Sequence, residues 1–197
     1  MTNNELFSRG ELRGYVDHVI STAVDRVGRA TAPNIRENPE KVVGDIVSSA
    51  AFVPVDFDFT QITRSEPIEV TIEGRQFDET YRVAGQAFDF HVPVTGSAEL
   101  LEYRASTFSL SGNPRASVSG ASLTFRVEAQ DLDAETARAQ VAAMQARIVE
   151  TTGWTNAELG QANERLLSSV RTEVFARKQR LDDAAATAES LDIPTKR

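Results

Sequence analysis

The chain has 197 residues, 41% of them hydrophobic and 25% charged, with a formal net charge of −8 and no cysteine. This composition reads as a globular chain with room for one domain, or for a domain with a substantial appendage. It excludes disulfides and thiolate zinc sites. It also argues against a sequence-independent nucleic-acid binder, because phosphate contacts need a basic surface.

No apolar run approaches the ~20 residues that span a bilayer, so no membrane partner is expected. The start, "MTNNELFSRGELRG", lacks a basic region followed by an apolar stretch, which leaves the cytoplasm as the expected compartment. Residues 1–50 have helical periodicity. Leu12, Val16, Val19, Ile20, Ala23 and Val27 recur at three- and four-residue steps and form one stripe. "TAPNIRENPE" interrupts them. Asn38 and Pro39 then make a cap and first-turn pair for a short helix burying Val42, Val43, Ile46 and Val47.

Residues 51–130 change to a two-residue period. "IEVTI" and "SLTFRVEA" alternate apolar and polar side chains, and "EGRQ", "TGSAE", "SGNPR" and "VSGAS" supply turn chemistry between the runs. In "ELLEYRASTFSLS" the apolar parity switches, so a bulge or bend near Ser106–Thr107 is expected. Five to seven short strands follow, mostly antiparallel, because the connections are too short for crossover helices.

Residues 131–197 are helical again. Asp131 or Asp133 caps a first helix with Ala137, Val141, Met144 and Ile148 on one face, and Gly153 is its expected end. Thr155 and Glu158 have the spacing of a capping box for a second helix, whose stripe is Leu159, Leu166, Val170, Val174 and Leu181. That helix would exceed 30 residues, about 45 Å if unbroken. The expected fold is therefore α+β: an antiparallel β-rich body, N-terminal helices packing on it, and a C-terminal antiparallel helical pair whose last helix is long.

Catalytic motifs are sparse. The two histidines are His18, at the edge of the first stripe, and His91; there is no His-Glu-x-x-His pair, Gly-x-Ser-x-Gly elbow or Walker-type loop. The glycines of "SGNPRASVSGAS" lead into a strand, where a phosphate cradle would need a helix. No cofactor and no metal site is expected. Of the acids Asp56, Asp58, Asp78, Glu79, Asp89, Asp131 and Asp133, the most suggestive is Asp89, because it shares a strand face with His91. That stretch, "FDFHVPV" (88–94), is the mirror image of "VPVDFDF" (53–59) at every position except Asp56 against His91. An antiparallel pairing in mirror register would place Pro54 opposite Pro93 and Asp56 opposite His91, at the cost of Asp58 facing Asp89. Asp56, Asp89 and His91 thus form the candidate polar cluster. Both prolines point to edge or bulge positions.

The last helix carries a locally basic run, "RTEVFARKQR", in which Arg171, Arg177, Lys178 and Arg180 are candidate partner-binding residues; the alternative is a solvated helix face. With its continuation, "NERLLSSVRTEVFARKQRL" then "LDIPTKR", this segment resembles one in uncharacterised bacterial proteins, some linked to anti-phage defence. There a long helix with an Arg-Lys-x-Arg-like cluster runs into a hydrophobic-Pro-x-Lys-Arg stop that precedes a restriction-endonuclease-like domain. The resemblance covers about the last 40 residues, most specifically Arg177–Arg180 and Ile193–Arg197. It implies an accessory half with no catalytic residue carried over, since none of Lys41, Lys178 and Lys196 completes a Glu-x-Lys signature.

Three functional readings follow. The first is a non-enzymatic interaction or regulatory module, in its most concrete form the accessory half of a bacterial defence nuclease. Its long helix would contact a protein partner or a second copy. The second is a structural protein of a virion- or sheath-like oligomer. The third is a carboxylate-based hydrolase using Asp89 and His91.

Overall fold

The computed structural model describes residues 5–76, 79–108 and 113–191. Their elements, in chain order, are β1 (Gly10–Glu11), α1 (Leu12–Val27), α2 (Ala32–Glu37), α3 (Pro39–Ala50), β2 (Asp56–Phe57), β3 (Thr63–Arg64), β4 (Ile68–Gln76), β5 (Glu79–Thr95), β6 (Tyr103–Arg104), β7 (Ala116–Ser119), β8 (Ser122–Ala129) and α4 (Ala134–Ser190). The fold is α+β, with a multistranded antiparallel sheet and a long C-terminal helix. Among the described residues, no helix is long and apolar enough to cross a membrane. The chain divides into two compact units, Met1–Leu12 with Val53–Glu158 and Arg13–Phe52 with Leu159–Arg197.

In the first unit the sheet is organised around β5, a strand of 17 residues. Along one side β8 pairs antiparallel with residues 86–93, and β7 forms the edge beyond it. Along the other side β4, β3 and β2 pair with β5 in succession, like one edge strand cut into pieces. Pro93 lies opposite the cut between β2 and β3, where a 3-10 turn (Phe59–Gln61) is inserted. Its carbonyl accepts the Asp58 N–H at 3.1 Å, so the proline's missing donor falls where the edge is already interrupted. Both "FDFHVPV" and the preceding run are one continuous strand. The strands expected to be short are short except here and in β4, which includes the "EGRQ" expected as a turn.

The two-residue period sorts β5 into two faces. Phe88, Phe90 and Val92 stand opposite Val127, Phe125 and Leu123 of β8. On this face Val92, Val94, Ala116, Leu123, Phe125 and Val127 are buried, while Phe88 and Phe90 are only half-buried. Phe90 stacks on Phe125 at 5.4 Å between ring centroids. The opposite face carries Asp89 and His91 against Arg126 and Thr124.

The N-terminal segment is tied into this unit by backbone bonds: Phe7 N–H donates to the Leu101 carbonyl (2.7 Å), Arg9 N–H donates to that of Glu102 (2.8 Å), and β1 pairs parallel with β6. At "TGSAE" the expected turn is present, with Gly96 at φ +83°. In "ELLEYRASTFSLS" the bend expected near Ser106–Thr107 is present at those two residues, and the segment before it is less regular than a strand. Ala98–Glu102 is a 3-10 turn burying Leu100 and Leu101, and only Tyr103 and Arg104 are strand. Leu110 lies outside the described residues, as do Asp78 and Ile193–Arg197.

The second unit is helical. Its core is Val16, Ile20, Ala23 and Val27 of α1, Ile35 of α2, Val43 of α3, Phe52, and Leu159, Ala162, Leu166, Val170 and Val174 of α4. Asp17 meets Arg165 (2.6 Å) and Val27 meets Arg177, so α1 runs parallel to this part of α4. Glu40 meets Arg171 (2.8 Å) and Phe52 meets Asn163, so α3 runs antiparallel to it. The interruption expected at "TAPNIRENPE" contains α2, with a proline in its first turn, where a missing N–H costs nothing.

The C-terminal helical pair is corrected to one helix of 57 residues. Gly153 does not end it. A helical glycine costs only about 1 kcal/mol against alanine, and the buried stripe continues through the position as Ile148, Thr152, Thr155, Leu159 and Ala162. Thr155 is therefore inside the helix, with its hydroxyl donating to the Thr151 carbonyl (3.4 Å), and it caps nothing. Glu158 accepts from Ser106 N–H (2.8 Å) instead of closing a capping box. At the true start, Asp133 does cap, accepting the Thr136 N–H at 2.7 Å.

Candidate functional site: a sheet–helix groove and a closed polar face

Of the predicted polar cluster, the sheet brings together two members and separates the third. Asp89 and His91 share the outer face of β5, about 7 Å apart along the strand. Asp56 pairs opposite Thr95, not His91, so the mirror register is displaced by four residues. His91 instead faces Thr63 on β3 and Thr124 on β8. The displacement has a local cause. "VPVDFDF" supplies only a two-residue strand, because Pro54 precedes it and the Phe59–Gln61 turn follows at once. Val53, on the apolar parity of that stretch, is 55% exposed.

Both surviving members are already engaged. Arg126 Nε and Nη2 donate to the two Asp89 carboxylate oxygens at 2.7 and 2.8 Å. These hydrogen bonds hold the Asp89 carboxyl below its ordinary range, against the opposing effect of burial, with the Arg126 charge adding to them. His91 Nδ1 shares a hydrogen bond with Thr124 Oγ1 at 3.0 Å. Among the described residues, no group of three or more histidine, aspartate and glutamate side chains is arranged to hold a metal ion. Sequence reasoning missed Arg126 and Thr124 as partners, although "SLTFRVEA" places both on the polar parity; the register that aligns them is not visible in either strand alone.

The basic run is engaged within the second unit. Arg171 pairs with Glu40 (2.8 Å), Lys178 with Asp182 (2.6 Å) and Arg180 with Glu173 (2.8 Å), and Arg177 donates to the Val27 carbonyl. Arg36 of α2 reaches the same Asp182 (2.9 Å), whose carboxyl is held low chiefly by the hydrogen bond from Lys178. These contacts brace α1, α2 and α3 on α4 or bond along α4 itself.

A different feature of the first unit is open. Between the half-buried end of the inner sheet face and the opening turns of α4 lies a groove of about 550 Å³. Phe88 and Phe90 of β5 and Arg64 of β3 form one wall; Ala137, Arg138 and Val141 of α4 form much of the other. The cause lies in the sequence of α4. Where its stripe is fully buried it carries Ile148, Leu159 and Leu166, but along the groove it carries Ala134, Ala137 and Val141. Side chains this small do not reach the sheet, so space remains over the two phenylalanine rings. The Arg64 guanidinium lies over the Phe88 ring, 5.3 Å from its centroid. The wall's carboxylate, Asp133, is committed as the helix cap, and the Thr136 N–H holds it below its usual range. Neither Arg64 nor Arg138 makes a salt bridge among the described residues.

Comparison with known protein families, with curated protein sequences and with solved structures returns no match for this chain.

Proposed function

We propose that this chain is a non-enzymatic recognition module of a bacterial cytoplasmic system. Its sheet unit binds a ligand or partner in the groove beside α4, and its helical unit connects to an effector. The observation that carries this reading is the groove itself: an open space of about 550 Å³ with two half-buried aromatic rings on one wall and small aliphatic side chains on the other. Concave, mainly apolar sites with a few fixed polar groups are where ligands bind. The Asp89 and His91 face has fewer free valences, because Arg126 and Thr124 already occupy the groups a hydrolase would use.

The concrete form is the accessory half of an anti-phage defence nuclease, supported by the resemblance of the last helix and its Pro-x-Lys-Arg exit. A reading frame continuing beyond Arg197 into a nuclease fold is the expected result of sequencing the gene downstream. A continuation into an unrelated enzyme would overturn this form. The recognition reading is tested separately by screening small apolar fragments, neutral and charged, against the assigned amide spectrum. Shifts centred on Phe88, Phe90, Ala137 and Val141 are expected. Shifts centred on Asp89, His91 and Arg126 would favour the hydrolase, and a solution mass of a large open or closed assembly would favour the structural protein.

A further inference from the structure

The groove has a chemical polarity that narrows its ligand, and this inference rests on the recognition reading above. Its floor and walls are apolar through Phe88, Phe90, Ala137 and Val141, while a guanidinium stands on each wall, Arg64 on the sheet and Arg138 on the helix. The chain carries 29 carboxylate side chains against 21 lysines and arginines, so counter-charge is in excess. Most of the described basic side chains are in salt bridges, including Arg9, Arg36, Arg82, Arg126, Arg165, Arg171 and Arg180. Among the described residues, Arg64 donates only to the Ser65 carbonyl (3.1 Å) besides covering Phe88, and Arg138 is exposed with no salt bridge. Asp133, the carboxylate lining the groove, already accepts the Thr136 N–H. Two unmatched guanidinium groups flanking an apolar trough are complementary to one kind of molecule, an apolar body ending in an anion.

We propose that the groove binds a hydrophobic carboxylate, an aliphatic chain lying on Phe88 and Phe90 with its carboxylate between Arg64 and Arg138. A guanidinium accepts a carboxylate through two parallel N–H···O bonds, which fixes the head group while the tail displaces water from the rings. Because both arginines are solvent-exposed at the rim, they set charge selectivity and contribute modestly to affinity, and the buried tail supplies the rest.

The probes are dodecanoate below its micellar concentration, dodecanol at matched concentration, and a synthetic acidic amphipathic peptide, each titrated into the full chain and followed by calorimetry and amide shifts. Saturable one-to-one binding of dodecanoate is expected, with shifts at Phe88, Phe90, Ala137 and Val141. Arg64→Gln combined with Arg138→Gln should weaken it at least tenfold, and Ala137→Leu, which fills the trough, should abolish it. Should Ala137→Leu fail to fold by circular dichroism, Val141→Phe fills the same space. Dodecanol binding as tightly as dodecanoate, or a double arginine variant with unchanged affinity, overturns the carboxylate proposal and leaves the groove a recognition site. Peptide binding in the groove without dodecanoate binding overturns it in favour of a protein partner. If no probe shifts the groove residues, both the proposal and the recognition reading fail.

Discussion

Asn163 is expected to be among the most sensitive polar positions in the helical unit. Its side-chain amide does what a neighbouring strand would do for Phe52: Oδ1 accepts the Phe52 N–H at 2.9 Å, and Nδ2 donates to the Phe52 carbonyl at 3.0 Å. Phe52 is 6% exposed, so water has little access to that peptide. Replacing Asn163 by alanine leaves one donor and one acceptor unsatisfied. Each costs about 1–3 kcal/mol when buried, and the gain in helix propensity from asparagine to alanine returns about 0.7 kcal/mol. The net expectation is a loss of about 1–5 kcal/mol. With an m-value of about 2 kcal/mol/M in urea, the unfolding midpoint should fall by about 0.5–2.5 M at unchanged slope.

Asn163→Asp sharpens the test, because it keeps the shape and the acceptor but sets a carboxylate oxygen against the Phe52 carbonyl. It should be at least as damaging as alanine at neutral pH, with partial recovery once acid restores a proton to donate. A midpoint shift below about 0.3 M for Asn163→Ala, or an aspartate variant as stable as the parent at pH 7, would refute the reasoning.

Gly96→Ala should be severe, since the residue sits at φ +83° and an added Cβ would lie 1.9 Å from the Pro54 carbonyl oxygen; a loss above about 3 kcal/mol is expected, and a parental melting temperature would contradict the turn geometry. Thr152, 3% exposed with a hydroxyl that has no hydrogen-bond partner among the described residues, should tolerate valine with a gain of about 1 kcal/mol; a clear loss in chemical denaturation would reveal a partner for that oxygen. The Asp89–Arg126 pair should give a pH signature. Arg126 lowers the folded-state pKa of Asp89, so the stabilisation is complete above the ordinary carboxylate pKa and disappears as pH falls through the lowered one. Asp89→Asn should therefore cost about 1–3 kcal/mol at pH 7, with its deficit shrinking below about pH 4. A deficit constant down to pH 2 would show that the charge is not its source.

What the sequence made legible was whatever depends on neighbours within one turn or one pleat. The stripe from Val16 to Val27, the alternation of "SLTFRVEA" and the Asp133 cap are local, and each is in place. The errors occur where a distant residue decides. Gly153 and Thr155 read as a helix boundary because their local preferences favour one, yet Thr155 is fully buried and the stripe on either side holds the helix through them. Asp56 and His91 read as partners because two strands share a pattern of period two. A period of two leaves every even displacement equally consistent with the same faces. The observed register differs from the mirror by four, an even number, so Phe57 still pairs with an inward residue, Val94, while the polar contact is lost.

The same logic explains why the groove was hard to foresee and what would have found it. Ala134, Ala137 and Val141 satisfy any test for an apolar helical stripe, so they read as core. The signal is in their size against the large buried residues further along the same helix: alanine, alanine and valine line its first turns, whereas Ile148, Leu159 and Leu166 fill the core later. A core filled to ordinary density would compensate for small residues on the helix with large ones on the sheet, pressed into contact. Here the sheet does supply large residues, Phe88 and Phe90, and they remain half-exposed. Large rings facing small side chains across unfilled space are therefore better read as a binding surface than as unfinished packing, and filling that space at Ala137 separates the two. A packing defect would gain stability from Ala137→Leu with nothing lost, whereas a binding groove loses its ligand.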